Sequence, residues 1–183
     1  QTLEETLPIL LDNTLAALGT DTGSIMLYYP EADELRGAVQ RGWFQDIQDI
    51  PVKVGEGIAG TVFMTGEPYL TEDFARDSRS RPQARERVPV GWGGACLPIR
   101  ASLEMVGVLF VAMPLPRRVT LEQMRLLQSL AEIAGATMHR TRLHDETARR
   151  AEEFESLYET SKALSEQTEL KPLLNLIVNS AKR

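Results

Sequence analysis

Gly55, Gly57 and Gly60 follow a short β-rich run and satisfy the spacing Gly-x-Gly-x-x-Gly, which can bring a backbone close to a pyrophosphate at the start of a helix. That chemistry also needs a parallel strand–helix–strand unit. The apolar run after Gly60 stops at Gly66-Glu67-Pro68, too soon for such a crossover. The glycines are therefore read as a turn that needs positive φ and close backbone approach, beside the free N–H groups of a helix start. Further on, Arg76, Arg79, Arg81, Arg85 and Arg87 crowd a stretch that sets only Asp77 and Glu86 against them. This local reversal of sign in an acidic chain suits an anionic ligand. It also suits a solvated loop whose arginines pair with surface carboxylates.

Other reactive residue types offer less. Cys96, the only cysteine, lies between Ala95 and Leu97 with no cationic neighbour or helix start to favour its thiolate, so it reads as buried and structural. His139 and His144 stand on a helical stretch at a spacing that puts them on different faces, a poor metal pair. His144-Asp145-Glu146 resembles the phosphoacceptor box of histidine kinases, but Thr147-Ala148-Arg149-Arg150 lacks the proline that box carries. No nucleophile–base–acid arrangement, phosphate loop or metal spacing is visible. The expectation is no catalytic residue, no metal, no cofactor, and a chain that is not an enzyme by itself.

Bulk properties narrow the partners. With 183 residues, the chain suits one domain plus an appendage, and 43% hydrophobic residues allow a core of ordinary size. A formal net charge of -6 argues against tracking a phosphate backbone, so no nucleic acid is expected. The longest apolar runs, such as Met105 to Met113, are too short to span a bilayer, and no signal-peptide pattern opens the chain. A single cysteine fits a reducing compartment, and the expected location is the cytoplasm. Gln1 is an unusual first residue, so the chain reads as a piece trimmed from a longer protein.

The elements that must position these residues follow from periodicity. Leu3, Leu7, Leu10, Leu11, Leu15 and Leu18 recur at helical steps up to Gly19, with regular helix expected to start near Pro8. Ser24 to Tyr29 and Leu35 to Gln40 flank the turn residues Pro30-Glu31-Ala32-Asp33 and read as a hairpin. A short strand around Pro51 to Val54, a brief helix from Ile58 to Thr65 and a short strand at Tyr69 to Thr71 follow. Glu72 to Gly94 reads as a long irregular connection. Ala95 to Ala101 and Met105 to Met113 form a second hairpin. Thr120 with Gln123 has capping-box spacing, and no proline then appears until Pro172, which predicts a long helix. Strands are grouped rather than alternating with helices, so the class is α+β with an antiparallel sheet, helices on one face and loops over a pocket on the other.

Val54-Gly55-Glu56-Gly57-Ile58-Ala59-Gly60, then Thr65-Gly66-Glu67-Pro68 and Asp73, resemble the central segment of GAF domains. Thr22-Gly23-Ser24 is similar to their first strand, and Ala95 to Arg100 with Val106 to Leu109 to their paired final strands. Leu121 to Leu130 is similar to their closing helix. The resemblance implies a six-stranded antiparallel sheet, a pocket under the loops and dimers built on terminal helices. It departs from relatives that bind cyclic nucleotides, whose Asn-Lys-to-Asp pattern is missing. It also departs from bilin-attaching relatives, which carry a cysteine beside a histidine, and from methionine-sulfoxide reducers, which need more than one thiol.

From the resemblance and the loop chemistry together, Gly57, Ile58, Phe63, Phe74, Arg79, Arg85 and Trp92 are the expected pocket residues. The expected organisation is a GAF-like sensory domain over 1–142, a coiled-coil-like linker helix over 143–168, and the start of a second GAF-like domain over 169–183. Leu143, Thr147, Arg150, Phe154, Leu157, Ser161 and Leu164 alternate four and three steps apart, the spacing of a coiled-coil seam. The expected function is that of a bacterial-style sensory module. It binds a small, anionic or strongly hydrogen-bonding molecule and passes the signal through a homodimeric helix to a downstream output domain. The alternative is a dimerisation module without a ligand.

Overall fold

The computed structural model describes residues 3–180, with the side chains of 4–140, 143 and 147–162. The chain divides at Thr141/Arg142 into two units. In the first, α1 (Leu3–Leu18) precedes the hairpin β1 (Thr22–Tyr29) and β2 (Glu34–Arg41). A 3-10 stretch at Gly42–Ile47, β3 (Val52–Lys53), α2 (Gly57–Thr65) and β4 (Tyr69–Thr71) come next. After the four-residue α3 (Pro82–Arg85), the hairpin β5 (Trp92–Ala101) and β6 (Glu104–Pro114) leads to α4 (Leu121–Ser180). The six strands form one antiparallel sheet in the order β3-β2-β1-β6-β5-β4, as expected for the α+β reading.

Strand alternation sorts the core into two layers. On one face Ile25, Ala95, Leu97, Ile99, Leu109, Val111 and Met113 meet Leu7, Leu11, Leu15 and Leu18 of α1 and Leu127, Ala131, Ala134 and Met138 of α4. On the other face Cys96, Val108, Phe110 and Ala112 lie under Ile58, Ala59, Val62 and Phe63 of α2, with Phe44, Phe74 and Val88 from the connections. The terminal helices and the loops thus take opposite faces.

One irregularity matters for the site. The β1–β2 register runs Ile25↔Val39 and then Met26↔Gly37, so Ala38 is an extra residue. Such a bulge flips the parity of everything beyond it. Leu35 therefore belongs to the loop-side layer while Val39, an even number of residues on, belongs to the helix side. The same flip puts both Gly37 and Gln40 at the loop-side cavity.

Two helix details differ in instructive ways. α1 begins at Leu3 and carries Pro8 inside it, rather than starting near Pro8. Its buried leucine stripe outweighs the backbone bond a proline cannot donate. α4 starts with the expected capping box: the Gln123 N–H donates to Thr120 Oγ1 at 3.2 Å, and the Thr120 N–H donates to Gln123 Oε1 at 3.0 Å. Within α4, a Cβ on Gly135 would come 1.7 Å from the Arg100 carbonyl oxygen, so only glycine lets the helix lie this close to the end of β5.

In the second unit α4 continues to Ser180. Leu143, Phe154 and Leu157 of the expected seam are exposed there. The expectation of a second domain over 169–183 concerns side chains and terminal residues outside those described.

Candidate functional site

Beneath the loops lies a cavity of about 90 Å³. Ser24 and Met26 of β1, Gly37 and Gln40 of β2 and Phe110 of β6 supply its floor. Two flaps close over it. One runs from Trp43 and Phe44 through Ile47, Gln48 and Ile50 to Val52, and the other contributes Phe74, Ser80, Arg81, Ala84 and Val88. Gly57, Ile58 and Ala59 at the start of α2 complete the wall.

The glycine-rich segment shapes that wall and serves no dinucleotide. The Gly55 N–H donates to the Gly60 carbonyl at 2.9 Å, and a Cβ on Gly60 would sit 2.2 Å from the Lys53 carbonyl oxygen. Gly57 takes φ +60, and a Cβ there would come 3.0 Å from Arg81 Cγ, so the Arg81 stem lies across the helix start. α2 ends at Gly66 in the left-handed conformation, and the next strand, β4, pairs antiparallel with β5. Among the described residues every strand pair is antiparallel, so no parallel crossover is there for a dinucleotide.

Aromatic rings dominate the interior. Trp43 stacks on Phe44 with centroids 4.1 Å apart and meets Phe74 edge-on at 5.7 Å. Phe110 lies 5.3 Å from Phe44 and 6.0 Å from Phe74. These tilted and edge-on pairings are the ones ring quadrupoles favour. Two polar atoms on wall residues, Gln40 Nε2 and Trp43 Nε1, are buried with no hydrogen-bond partner within the chain. An unpaired buried donor costs about 1–3 kcal/mol, so each is a standing demand for an acceptor. The wall holds no aspartate or glutamate, and Arg81 is its charged residue. Neither Ser24 nor Ser80 has a histidine or carboxylate beside it on the wall.

The arginine-rich loop spends its charge elsewhere. Arg79 places its guanidinium 4.6 Å over the Tyr69 ring, and Arg76 faces Asp73 at 3.8 Å. Arg85 Nη2 donates to the carbonyls of Asp77 at 3.0 Å and Ser80 at 2.7 Å, tying the loop to itself. Two arginines clasp the flaps together: Arg81 donates to the Pro51 carbonyl, and Arg87 to Asp49 Oδ1 at 2.9 Å and the Asp46 carbonyl at 3.2 Å. Asp77 anchors the loop's base. Burial pushes its carboxyl up, but hydrogen bonds from Thr71, the Arg79 N–H and Tyr69 outweigh that and hold it below its ordinary value. Burial pushes the Cys96 thiol well above its ordinary value, so it stays protonated and inert beneath this layer.

Of the residues expected from sequence, the structure brings Gly57, Ile58 and Phe74 together on the cavity wall. Phe63 packs on Tyr28, with centroids 4.5 Å apart, and Trp92 meets Trp43 edge-on at 6.3 Å. Phe63, Trp92, Arg79 and Arg85 all lie off the wall. Sequence reasoning missed Gln40, Trp43, Phe44 and Arg81. A glycine followed by two adjacent aromatics, Gly42-Trp43-Phe44, was the available signal for the first flap. Among the described residues no group of three or more acidic, histidine or cysteine side chains could hold a metal, and no helix is long and apolar enough to cross a membrane.

A family model described as GAF domain matches residues 1–139. The Nif-specific regulatory protein of Herbaspirillum seropedicae is 31% identical over 146 residues, covering 76% of this chain and 26% of that protein, so the chain spans about a quarter of that relative. The fold resembles that of the GAF domain from a phosphoenolpyruvate-protein phosphotransferase of Coxiella burnetii, with a TM-score of 0.70 at 20% identity, covering 80% of this chain and 88% of that one. It also resembles a GAF domain/HD domain protein from Geobacter sulfurreducens, with a TM-score of 0.67 at 11% identity over 76% and 94% of the two chains. Through the family match over residues 1–139, with the six-stranded sheet and its loop-side cavity, the chain belongs to the GAF domain family.

Proposed function

We propose that this chain is the sensory module of a larger bacterial signalling protein, working in the cytoplasm. A small molecule enters the cavity, and α4 carries the change, within a parallel homodimer, to an output domain in the same parent chain. The observation that carries the reading is the cavity itself, roofed by two flaps that arginine contacts clasp together. Binding chemistry is present on its wall without a reacting pair of side chains, so the module is read as a binder and not an enzyme. Its relative from Herbaspirillum seropedicae is by name a regulatory protein, which suits this role.

A contact route favours coupling within the first unit. α2 lends Gly57, Ile58 and Ala59 to the wall and ends at Gly66, whose carbonyl accepts from Arg100 Nη2 at 3.1 Å. The Arg100 carbonyl in turn lies against Gly135 of α4. A shift of α2 on ligand entry therefore reaches α4 through one residue. In the second unit, exposed Leu143, Phe154 and Leu157 supply apolar seam positions, while Thr147, Arg150 and Ser161 weaken the seam. A marginal seam suits a switch whose two states are close in energy. The same exposed residues also favour the second reading, a dimerisation module without a ligand.

Sedimentation of the chain should show a dimer, weakened by removing the residues after Leu143. In the parent protein, inserting two residues near Arg150 should disturb output more than inserting seven, because seven restores the phase of the seam. Equal effects from both insertions would reduce the helix to a tether. A thermal-shift screen separates the two readings, since only a ligand-binding module gains stability from a small molecule, about 2.7 kcal/mol at a hundredfold excess over Kd.

A further inference from the structure

With the cavity taken as the sensory site, its wall sorts ligands by chemistry. Trp43, Phe44, Phe74 and Phe110 present aromatic surface in stacked, tilted and edge-on pairs, a lining that suits a flat ring. The two buried polar atoms without partners, Gln40 Nε2 and Trp43 Nε1, are both donors. No wall residue is an aspartate or glutamate, and Arg81 sets a positive charge at the rim.

We propose that the ligand is a compact planar aromatic molecule bearing a hydrogen-bond acceptor, a carbonyl or carboxylate, and no positive charge. This rests on the reading of the cavity as the sensory site. The alternatives fail on named residues. An organic cation would find aromatic faces, which attract it, but no carboxylate to neutralise it, and Arg81 would repel it. A purely aliphatic or aromatic hydrocarbon would fill the apolar space and leave both donors unanswered. A strongly hydrated polyanion would lose its water to a wall with one arginine, since Arg79 and Arg85 are turned to Tyr69 and to loop carbonyls. An acceptor carried on a ring meets both demands at once: it stacks among the rings and takes up a donor once Gln40 or Trp43 turns its buried N–H toward the cavity.

Trp43 reports on this directly, because its indole N–H gives a separate proton–nitrogen resonance and the chain has only one other tryptophan, Trp92, which Trp92→Phe removes for assignment. The probes are benzamide, benzoate, benzylamine and toluene, four single rings of similar size. Benzamide and benzoate should shift the Trp43 indole proton downfield and saturably, and benzylamine should bind about tenfold more weakly than benzamide. Toluene should perturb cavity methyls such as Ile58 without the downfield shift. Gln40→Leu, which keeps the volume and removes the donor, should weaken benzamide about threefold while raising the melting temperature of the free chain, because an unpaired buried donor is lost. Benzylamine binding as tightly as benzamide would overturn the proposal. Toluene entering while benzamide and benzoate do not would overturn the ligand class and leave the cavity reading standing. If none of the four perturbs the cavity signals, the ligand class is overturned, and the thermal-shift screen decides the cavity reading separately.

Discussion

The two faces of the sheet are built from the same strands and are packed for different ends. Toward the terminal helices, alternate residues of β1, β5 and β6 are aliphatic, and the described core of that layer holds no aromatic ring. Toward the loops, the intervening residues, Phe110 among them, meet Phe44 and Phe74 of the connections and Phe63 of α2, and an open space remains beside Phe44, Phe74 and Phe110. Protein interiors pack to about the density of an organic crystal, so the space left on the loop side is a local departure from close packing. The buried donors of Gln40 and Trp43 also fall on the loop side. One face is thus closed around α1 and α4, and the other is kept incomplete.

Truncating one side chain on each face is the sharpest way to break this comparison. Leu109, fully buried under the helices, should cost about 3 kcal/mol on replacement by alanine, because a packed layer cannot collapse into the void. Met26→Ala, beside space that is already open, should cost about 1 kcal/mol. Denaturant titration of both variants gives the two values, and equal costs would erase the distinction between the faces.

Gly135→Ala sharpens the helix side. Helix propensity alone would stabilise the variant by about 1 kcal/mol. Contact with the Arg100 carbonyl predicts instead a loss of about 2 kcal/mol, as α4 is forced off the end of β5. The sign of the change in melting temperature decides between them.

A smaller effect is expected from Asp77 on the loop side. Its carboxyl is held below the ordinary value, so the stability it contributes is complete above about pH 4 and is lost as pH falls through the lowered folded value. Asp77→Asn should therefore flatten the acid limb of a melting-temperature profile, with the change read in the loop residues by hydrogen exchange. An unchanged acid limb would remove Asp77 as the anchor of the second flap.

Much of the scaffold was legible in the sequence, because it rests on local signals. The two hairpins, the short helix after the glycines and the Thr120–Gln123 cap each follow from periodicity or turn chemistry that neighbours enforce. The cavity was legible only in part. Gly57, Ile58 and Phe74 sit beside recognisable motifs, but Gln40 reaches the wall through the extra residue at Ala38, and a bulge leaves no mark in an alternation pattern. Trp43 and Phe44 belong to a 3-10 stretch too short for a helical period to register. The arginines show the opposite failure. Their density in sequence was plain, yet each guanidinium finds its partner through folding, and the partners of Arg79, Arg85 and Arg87 are a ring, loop carbonyls and the facing flap.

The loop face is read as left open for a small molecule. Native mass spectrometry of the chain purified from cells tests it most directly, with Ala84→Trp as the partner variant, since Ala84 stands on the cavity wall and a tryptophan there would fill the space. A small-molecule adduct is expected on the wild-type chain that denaturation releases and that Ala84→Trp lacks. A wild-type chain without adduct, together with an Ala84→Trp variant of higher melting temperature, would contradict it, because the cavity would then be a packing fault that a larger side chain repairs.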